Sequence, residues 1–170
     1  MPSHLFVGLP ALFFTLIAFP VTATELSVIG WLEYVDIDGG DMQYEAKIDT
    51  GADVSSINAD IIKEFTRNNL DWVQLALVNK EGQRIILEKQ ILRYAKIKRK
   101  QALPVKRPVI SLGVCLGDQY RKIEVNLAKR KNFKYKLLIG RNFLRGTYLV
   151  DSSNTYTTQP GCNRTGSHTE

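Results

Sequence analysis

The chain has 170 residues, which is enough for one ordinary domain and short for two. Its hydrophobic content of 44% and charged content of 24% exclude a disordered or fibrous protein and are typical of a folded globular domain. The formal net charge of +6 at pH 7 favours anionic partners, although net charge carries no information about the fold.

The N-terminal stretch from His4 to Ala23 is apolar almost throughout and contains no Lys or Arg. Two prolines interrupt it, and the small residues before Thr24 have the pattern of a signal-peptidase cleavage site. We therefore expect residues 1–23 to be a secretory signal peptide, so that the protein is periplasmic or secreted. The alternative is an uncleaved membrane anchor, but the run is short for a spanning helix and is broken by proline. No later stretch is apolar enough to span a bilayer.

Export also bears on the two cysteines, because oxidising compartments allow disulfides to persist. Cys115 lies in a strand-like run and Cys162 in a polar C-terminal segment. Both a single disulfide and two unpaired thiols are compatible with these positions.

Almost every segment after residue 25 has the alternation or the β-branched and aromatic content that is typical of strands. The predicted strands are LSVIGWLEYVDI (26–37), MQYEAKID (42–49), VSSIN (54–58), DWVQLALV (71–78), QRIILEKQILRYAKI (83–97), VKRPVISLGVCLG (105–117), YRKIEVNLA (120–128), YKLLIG (135–140) and TYLVD (147–151). Helical turns are predicted at ADIIKEF (59–65) and RNFLRG (141–146). This pattern predicts an all-β protein built on a small closed barrel, with one or two short helices.

The C-terminal residues 152–170 are rich in Ser, Thr, Asn and Gly and contain no regular apolar pattern. Such composition is typical of a flexible polar tail. The folded domain is therefore predicted to span residues 24–151.

The candidate chemistry lies in AKIDTGADVSSINA (46–59). Asp-Thr-Gly alone is weak evidence, because turns between strands use the same residues for local hydrogen bonds. Here, however, apolar residues precede Asp49 and place its carboxylate at the end of a buried strand, while Gly51 allows a sharp turn beside it. Far along the chain, KLLIGRNFL (136–144) supplies an apolar run, a glycine and a polar pair.

Together these two segments resemble retropepsin-like aspartic peptidases. Several separated blocks also resemble, in order, a bacterial family labelled ATP-dependent zinc proteases, some members of which are linked to ribosomal-protein modification. The resemblance covers roughly residues 27–151. It implies a dimerising β-barrel whose catalytic residue is Asp49, with Thr50, Gly51 and Ala52 completing the loop. In such enzymes the apolar-apolar-Gly segment, which ends here at Gly140, packs behind the acid loop.

The resemblance further implies an ion pair between Asp53 and Arg141. The bacterial family usually has a basic residue after Asp-Thr-Gly-Ala, whereas retroviral enzymes have an acid there and pair it with the arginine of a Gly-Arg-Asn segment. This chain has the retroviral combination. The alternative is two unrelated surface charges.

Aspartic proteolysis requires two carboxylates that share one proton. The chain has a single Asp-Thr-Gly and is too short for two lobes. A symmetric homodimer, with one Asp49 from each subunit, is therefore the expected active form.

A second informative stretch is RYAKIKRKQALPVKR (93–107), which carries seven Lys or Arg residues and no acid. In a retropepsin-like layout this hairpin is the flap over the substrate, so Lys98, Arg99 and Lys100 are candidate substrate-facing residues. We hypothesise that the hairpin attracts acidic peptides. A solvated hairpin edge protected by charge is an equally simple interpretation.

No cofactor or metal is expected. Zinc sites require His and Cys ligands, and the only histidines are His4 and His168. The basic AKRKNFKYK segment (128–136) has no recognised nucleic-acid motif, and export argues against that partner. The leading interpretation is an exported, metal-independent aspartic endopeptidase acting on peptides as a homodimer. The alternative is a catalytically silent module that binds peptides or anionic envelope polymers.

Overall fold

The computed structural model describes residues 25–38, 42–99, 102–129 and 133–162. These residues form eleven strands and one short helix. In chain order they are β1 (Ser27–Gly30), β2 (Leu32–Ile37), β3 (Met42–Ile48), β4 (Ser55–Asn58), β5 (Asp60–Arg67), β6 (Leu70–Val78), β7 (Arg84–Arg99), β8 (Ala102–Leu116), β9 (Gln119–Ala128), β10 (Leu137–Ile139), α1 (Arg141–Leu144) and β11 (Tyr148–Asp151). The predicted signal segment 1–23 lies outside the described residues.

Six strands close into a barrel in the order β2-β3-β10-β4-β9-β8, because β8 pairs back onto β2 through Asp36 with Cys115 and Ile37 with Val114. The sheet continues past the ring through β7, β6 and β5. Closure removes two sheet edges that would otherwise carry unpaired backbone groups. The prediction of an all-β closed barrel is confirmed.

Buried and exposed side chains alternate strictly along β3, and the buried ones fill part of the barrel core. Met42, Tyr44, Ala46 and Ile48 are buried, while the residues between them are exposed or half-buried. Successive side chains of a strand point to opposite faces, so this pattern sends one face of β3 into the core. Burying each large aliphatic side chain stabilises the fold by about 1.5–3 kcal/mol.

The predicted helical turn at residues 59–65 is wrong, because this segment belongs to the edge strand β5. β5 pairs antiparallel with β6, and Phe65 lies opposite Trp72. The connecting turn has positive φ at both Asn68 (52°) and Asn69 (60°), which is the backbone of a tight hairpin. The pair Asn68-Asn69 before β6 is the sequence signal that indicates this hairpin turn.

Residues 152–162, which the sequence assigns to a polar tail, are attached to the barrel. Cys162 forms a disulfide with Cys115, which decides between the two possibilities that the sequence leaves open. Backbone bonds from Trp31 N to Asn154 O (3.0 Å) and from Tyr156 N to Leu32 O (2.7 Å) tie the segment to the start of the barrel. Residues 163–170 lie outside the described ranges.

Glu33 is the main polar attachment point for this segment. Its carboxylate is 0% exposed and accepts five hydrogen bonds, from the backbone amides of Gly30, Thr157 and Thr158 and from both threonine hydroxyls. Burial acts to raise the pKa of Glu33, but the bonds from Thr157, Thr158 and Gly30 outweigh it and lower the pKa. The buried charge is thereby stabilised by the C-terminal segment.

Within the described ranges α1 is the sole helix, and at four residues it is far too short to cross a membrane.

Candidate active site

The backbone holds Asp49 at the point where β3 leaves the barrel. β3 runs parallel to β10, with Ile48 opposite Ile139. The Asp49 amide donates to the carbonyl of Ile139 (2.8 Å), and the Ile48 amide donates to the carbonyl of Trp31 (2.9 Å). The backbone that carries the Asp49 carboxylate is therefore held by hydrogen bonds on two sides.

The next three residues turn back tightly. The Gly51 amide donates to Asp49 Oδ1 (3.1 Å), and the Ala52 amide donates to the Asp49 carbonyl (3.2 Å). Asp49 is half-buried, whereas Thr50 and Gly51 are exposed. The local-turn interpretation is thus correct as geometry, but it leaves the Asp49 carboxylate accessible to solvent.

Gly140 packs directly behind this turn. Its amide donates to Ser55 Oγ (2.9 Å), and the amide of Arg141 donates to the carbonyl of Ala52 (2.8 Å). A β-carbon on Gly140 would lie 2.9 Å from that carbonyl oxygen and 3.0 Å from the backbone carbon of Val54. Glycine is therefore required here by close backbone approach.

Ser55 and Asn142 form a polar clamp that sequence reasoning missed. Both the amide (3.0 Å) and the hydroxyl (2.8 Å) of Ser55 donate to Asn142 Oδ1. Asn142 Nδ2 donates to the carbonyl of Glu124 in β9 (2.8 Å), and Asn126 Nδ2 donates to the carbonyl of Ser55 (2.9 Å). The available signal was a pair of serines in a short predicted strand, since buried polar groups need partners.

Asp53 and Arg141 come together as an ion pair. Arg141 also donates from Nη1 to the carbonyl of Thr50 (2.8 Å), so one guanidinium contacts both arms of the loop. The Asp53 side chain is 79% exposed and that of Arg141 is 39% exposed. An exposed pair contributes little stability, so its effect is to orient the loop.

The basic hairpin is formed by β7 and β8. Arg93 pairs with Glu124, and Arg107 Nη1 donates to Asn126 Oδ1 (3.4 Å), which links the hairpin to β9. Lys100 and the side chains of Lys98 and Arg99 lie outside the described residues. The structure therefore brings the predicted loop residues together, and the side chains of the three predicted flap residues lie outside the part that it describes.

In the part of the chain that the structure describes, no group of three or more His, Cys, Asp or Glu side chains could hold a metal ion. The chemistry available at the loop is that of a carboxylate beside exposed backbone.

Comparison with solved structures supports the same architecture. A crystal structure of a Legionella pneumophila protein of unknown function (DUF785) matches with a TM-score of 0.68 and 32% identity, covering 78% of this chain and 98% of that one.

Curated relatives include proteins named probable alpha-L-glutamate ligase. Those of Shewanella pealeana and Shewanella halifaxensis are 31% identical over 115 residues, covering 66% of this chain and 25% of the relative. One from Parasynechococcus marenigrum is 26% identical over 137 residues, covering 78% of this chain and 29% of the relative. The chain thus spans about a quarter of the length of these relatives.

The family match rests on most of the folded domain. The family model described as retropepsin-like aspartic endopeptidase RimB matches residues 28–160, a range that includes both the acid loop and the Gly-Arg-Asn segment behind it. The chain therefore belongs to the RimB-like family of retropepsin-like aspartic endopeptidases.

Proposed function

We propose that this protein is a metal-independent aspartic endopeptidase that acts as a homodimer on acidic peptides, with Asp49 as the catalytic residue of each subunit. The observation that carries the proposal is the bracing of the acid loop. Asp49 is bonded to β10 through its backbone, and the loop is bonded to α1 through Ala52 and Asp53. A turn that served only to connect two strands would not need this second support.

Exposed apolar side chains on the β1–β11 pair support dimerisation. The two strands are parallel, with Val28 opposite Leu149, and these side chains are 59% and 53% exposed. Leu26, two residues before Val28, is exposed as well. Trp31 follows β1 directly, and its carbonyl accepts the bond from the amide of Ile48, the residue before Asp49. A second copy docked there would cover these apolar side chains and bring two loops together.

The chemistry follows from that pairing. Two carboxylates in contact cannot both carry full negative charge, so the pair holds one proton. The ionised Asp49 removes a proton from a water molecule whose oxygen attacks the peptide carbonyl carbon. The protonated Asp49 of the other subunit donates its proton to the carbonyl oxygen. On collapse of the tetrahedral species the C–N bond breaks, and the first Asp49 passes the proton that it took from water to the amine nitrogen. The other Asp49 takes back a hydroxyl proton as the product carboxyl forms, so the pair again holds one proton.

The basic charge of the hairpin and the names of the curated relatives both support an acidic substrate. The segment 93–107 carries seven basic residues and no acid. The curated relatives that share this domain are named for ligation of glutamate, which would produce acidic chains. We propose glutamate-rich peptides as the substrate class.

Replacement of Asp49 by Asn tests the mechanism. We expect Asp49→Asn to reduce cleavage of a glutamate-containing peptide by at least about 10³-fold, while sedimentation shows the same dimer as the wild type. A statine-type inhibitor should block the wild type, and a chelator should leave its activity unchanged. Full activity in Asp49→Asn would overturn the mechanism, and loss of activity with the chelator would overturn metal independence. A folded dimer that binds the peptide without cleaving it would favour the silent binding module.

Export is proposed alongside this activity. The apolar segment at residues 1–23 and the Cys115–Cys162 disulfide both support an oxidising compartment. N-terminal sequencing of the mature protein should begin at Thr24. Protein that retains Met1 and lies in the cell fraction free of envelope would contradict export.

A further inference from the structure

The β7–β8 hairpin contains an unusual cross-strand pair. Lys96 in β7 lies directly opposite Lys106 in β8, and both side chains are exposed. Of the cross-strand pairs registered in the described sheets, this is the only one in which two like charges face each other. Like charges directly opposite one another destabilise a strand pair, so this arrangement weakens the hairpin in the unliganded protein.

The neighbouring basic residues are arranged differently. Arg93 is paired with Glu124, and Arg107 is bonded to Asn126, so both arginines are engaged by β9. Within the described residues neither Lys96 nor Lys106 has an ion-pair partner. The same hairpin thus uses its arginines to attach to the barrel and presents its lysine pair to solvent.

Strand alternation gives the pair a defined position. Residues 106, 108, 110 and 112 of β8 share one face, and Ile110 and Leu112 on that face are buried in the barrel core. Lys106 therefore lies on the same face of β8 as the core residues, beyond the end of the barrel. The acid nearest to this pair along the hairpin face, Glu64, is engaged by the Tyr94 hydroxyl (2.7 Å). The two ammonium groups provide donors that one carboxylate could bridge.

We propose that Lys96 and Lys106 together form a subsite that binds the side-chain carboxylate of an acidic residue in the substrate. The identity of the ligand rests on the proposed peptidase function, but the subsite makes its own prediction about binding. Binding of the carboxylate relieves the repulsion between the two lysines.

The test uses the full chain carrying Asp49→Asn, so that binding is measured without cleavage. The probes are two fluorescein-labelled octapeptides that are identical except that two Glu residues in one are Gln in the other. We expect the Glu peptide to bind about tenfold more tightly by fluorescence anisotropy. Adding Lys96→Gln and Lys106→Gln should abolish the difference between the peptides and leave binding of the Gln peptide unchanged.

A charge-matched control separates local contact from net charge. Lys63→Gln with Lys122→Gln removes the same charge from two other exposed strand positions and should keep the tenfold preference for Glu. The Lys96→Gln, Lys106→Gln protein should also melt at a temperature equal to or above that of its parent, because the repulsion is gone.

Three outcomes would overturn the subsite. They are equal binding of the two peptides by the parent, an unchanged preference after the Lys96 and Lys106 substitutions, and an equal loss in the control. Failure of the proposed peptidase function looks different. In that case the wild type cleaves neither peptide, while the preference and its dependence on the lysine pair remain.

Discussion

Two carboxylates near the same end of the antiparallel β2–β3 pair show how the same functional group serves different purposes. Glu33 is fully buried and accepts five hydrogen bonds, whereas Asp49 is half-buried and accepts one side-chain bond, from Gly51. A carboxylate whose acceptor sites are all occupied cannot take a proton or contact a substrate without losing those bonds. A carboxylate whose acceptor sites are all hydrogen-bonded is the structural acid. A partly exposed carboxylate on a backbone fixed by hydrogen bonds is the candidate catalytic acid.

The largest expected effect comes from removing the buried acid. Glu33→Ala leaves the amides of Gly30, Thr157 and Thr158 without their acceptor, and we expect a loss of about 3 kcal/mol or more in the free energy of unfolding. Asp49→Asn should change that free energy by less than about 0.5 kcal/mol, as for other accessible positions. Urea unfolding of both variants checks the contrast. Equal losses in the two proteins would break the distinction between the two carboxylates.

The geometry of the acid loop depends on the close packing of Gly140 behind it. Gly140→Ala forces a β-carbon against the Ala52 carbonyl, and we expect a stability loss of about 1–3 kcal/mol from the overpacked contact. Displacement of the loop by even about 1 Å should lower kcat/KM by about 10²-fold. Peptide hydrolysis and thermal melts measure the two effects. Gly161→Ala is the control, because a β-carbon there would meet no atom closer than 3.9 Å, and kcat/KM should be unchanged.

A third prediction concerns pH. The pKa of Glu33 is lowered on folding, so its contribution to stability is complete above the ordinary value of 4.5 and is lost as the pH falls through the folded-state pKa. Glu33→Gln should therefore flatten the fall in Tm at acid pH. A residual slope should remain, because Glu45, which accepts a bond from Lys80, and Asp151, which accepts one from Ser153, also have lowered pKa values. An unchanged slope would exclude Glu33 as the acid-sensitive group.

The smallest expected effect on stability is at the exposed ion pair. Asp53→Asn removes one partner of Arg141, and we expect the free energy of unfolding to fall by less than about 1 kcal/mol. The guanidinium keeps its bond to the Thr50 carbonyl. Calorimetry at low and high salt checks this, and a loss as large as that of Glu33→Ala would show that the pair is structural rather than orienting.

The parts of the fold that the sequence predicts are those with strong local patterns. Alternation in β3 and the apolar run of β10 predict buried strands, and Gly140 and Arg141 are recognisable from the segment around them. Residues 59–65 were misassigned because Ile61 and Ile62 fit a helix as well as a strand until their pairing with β6 is known. The clamp of Ser55 and Asn142 joins positions 87 residues apart, and no local pattern encodes such a contact.

The anchoring of Glu33 has a consequence for the order in which the protein becomes native. Four of its five hydrogen-bond donors lie 124 or 125 residues later in the chain, and the fifth is the nearby Gly30 amide. Until Thr157 and Thr158 arrive, closing the barrel around Glu33 would bury a charge without its partners, which is strongly unfavourable. We therefore expect a chain truncated before Thr157 to leave Glu33 without most of its donors and to be cleaved more readily by a protease than the full chain.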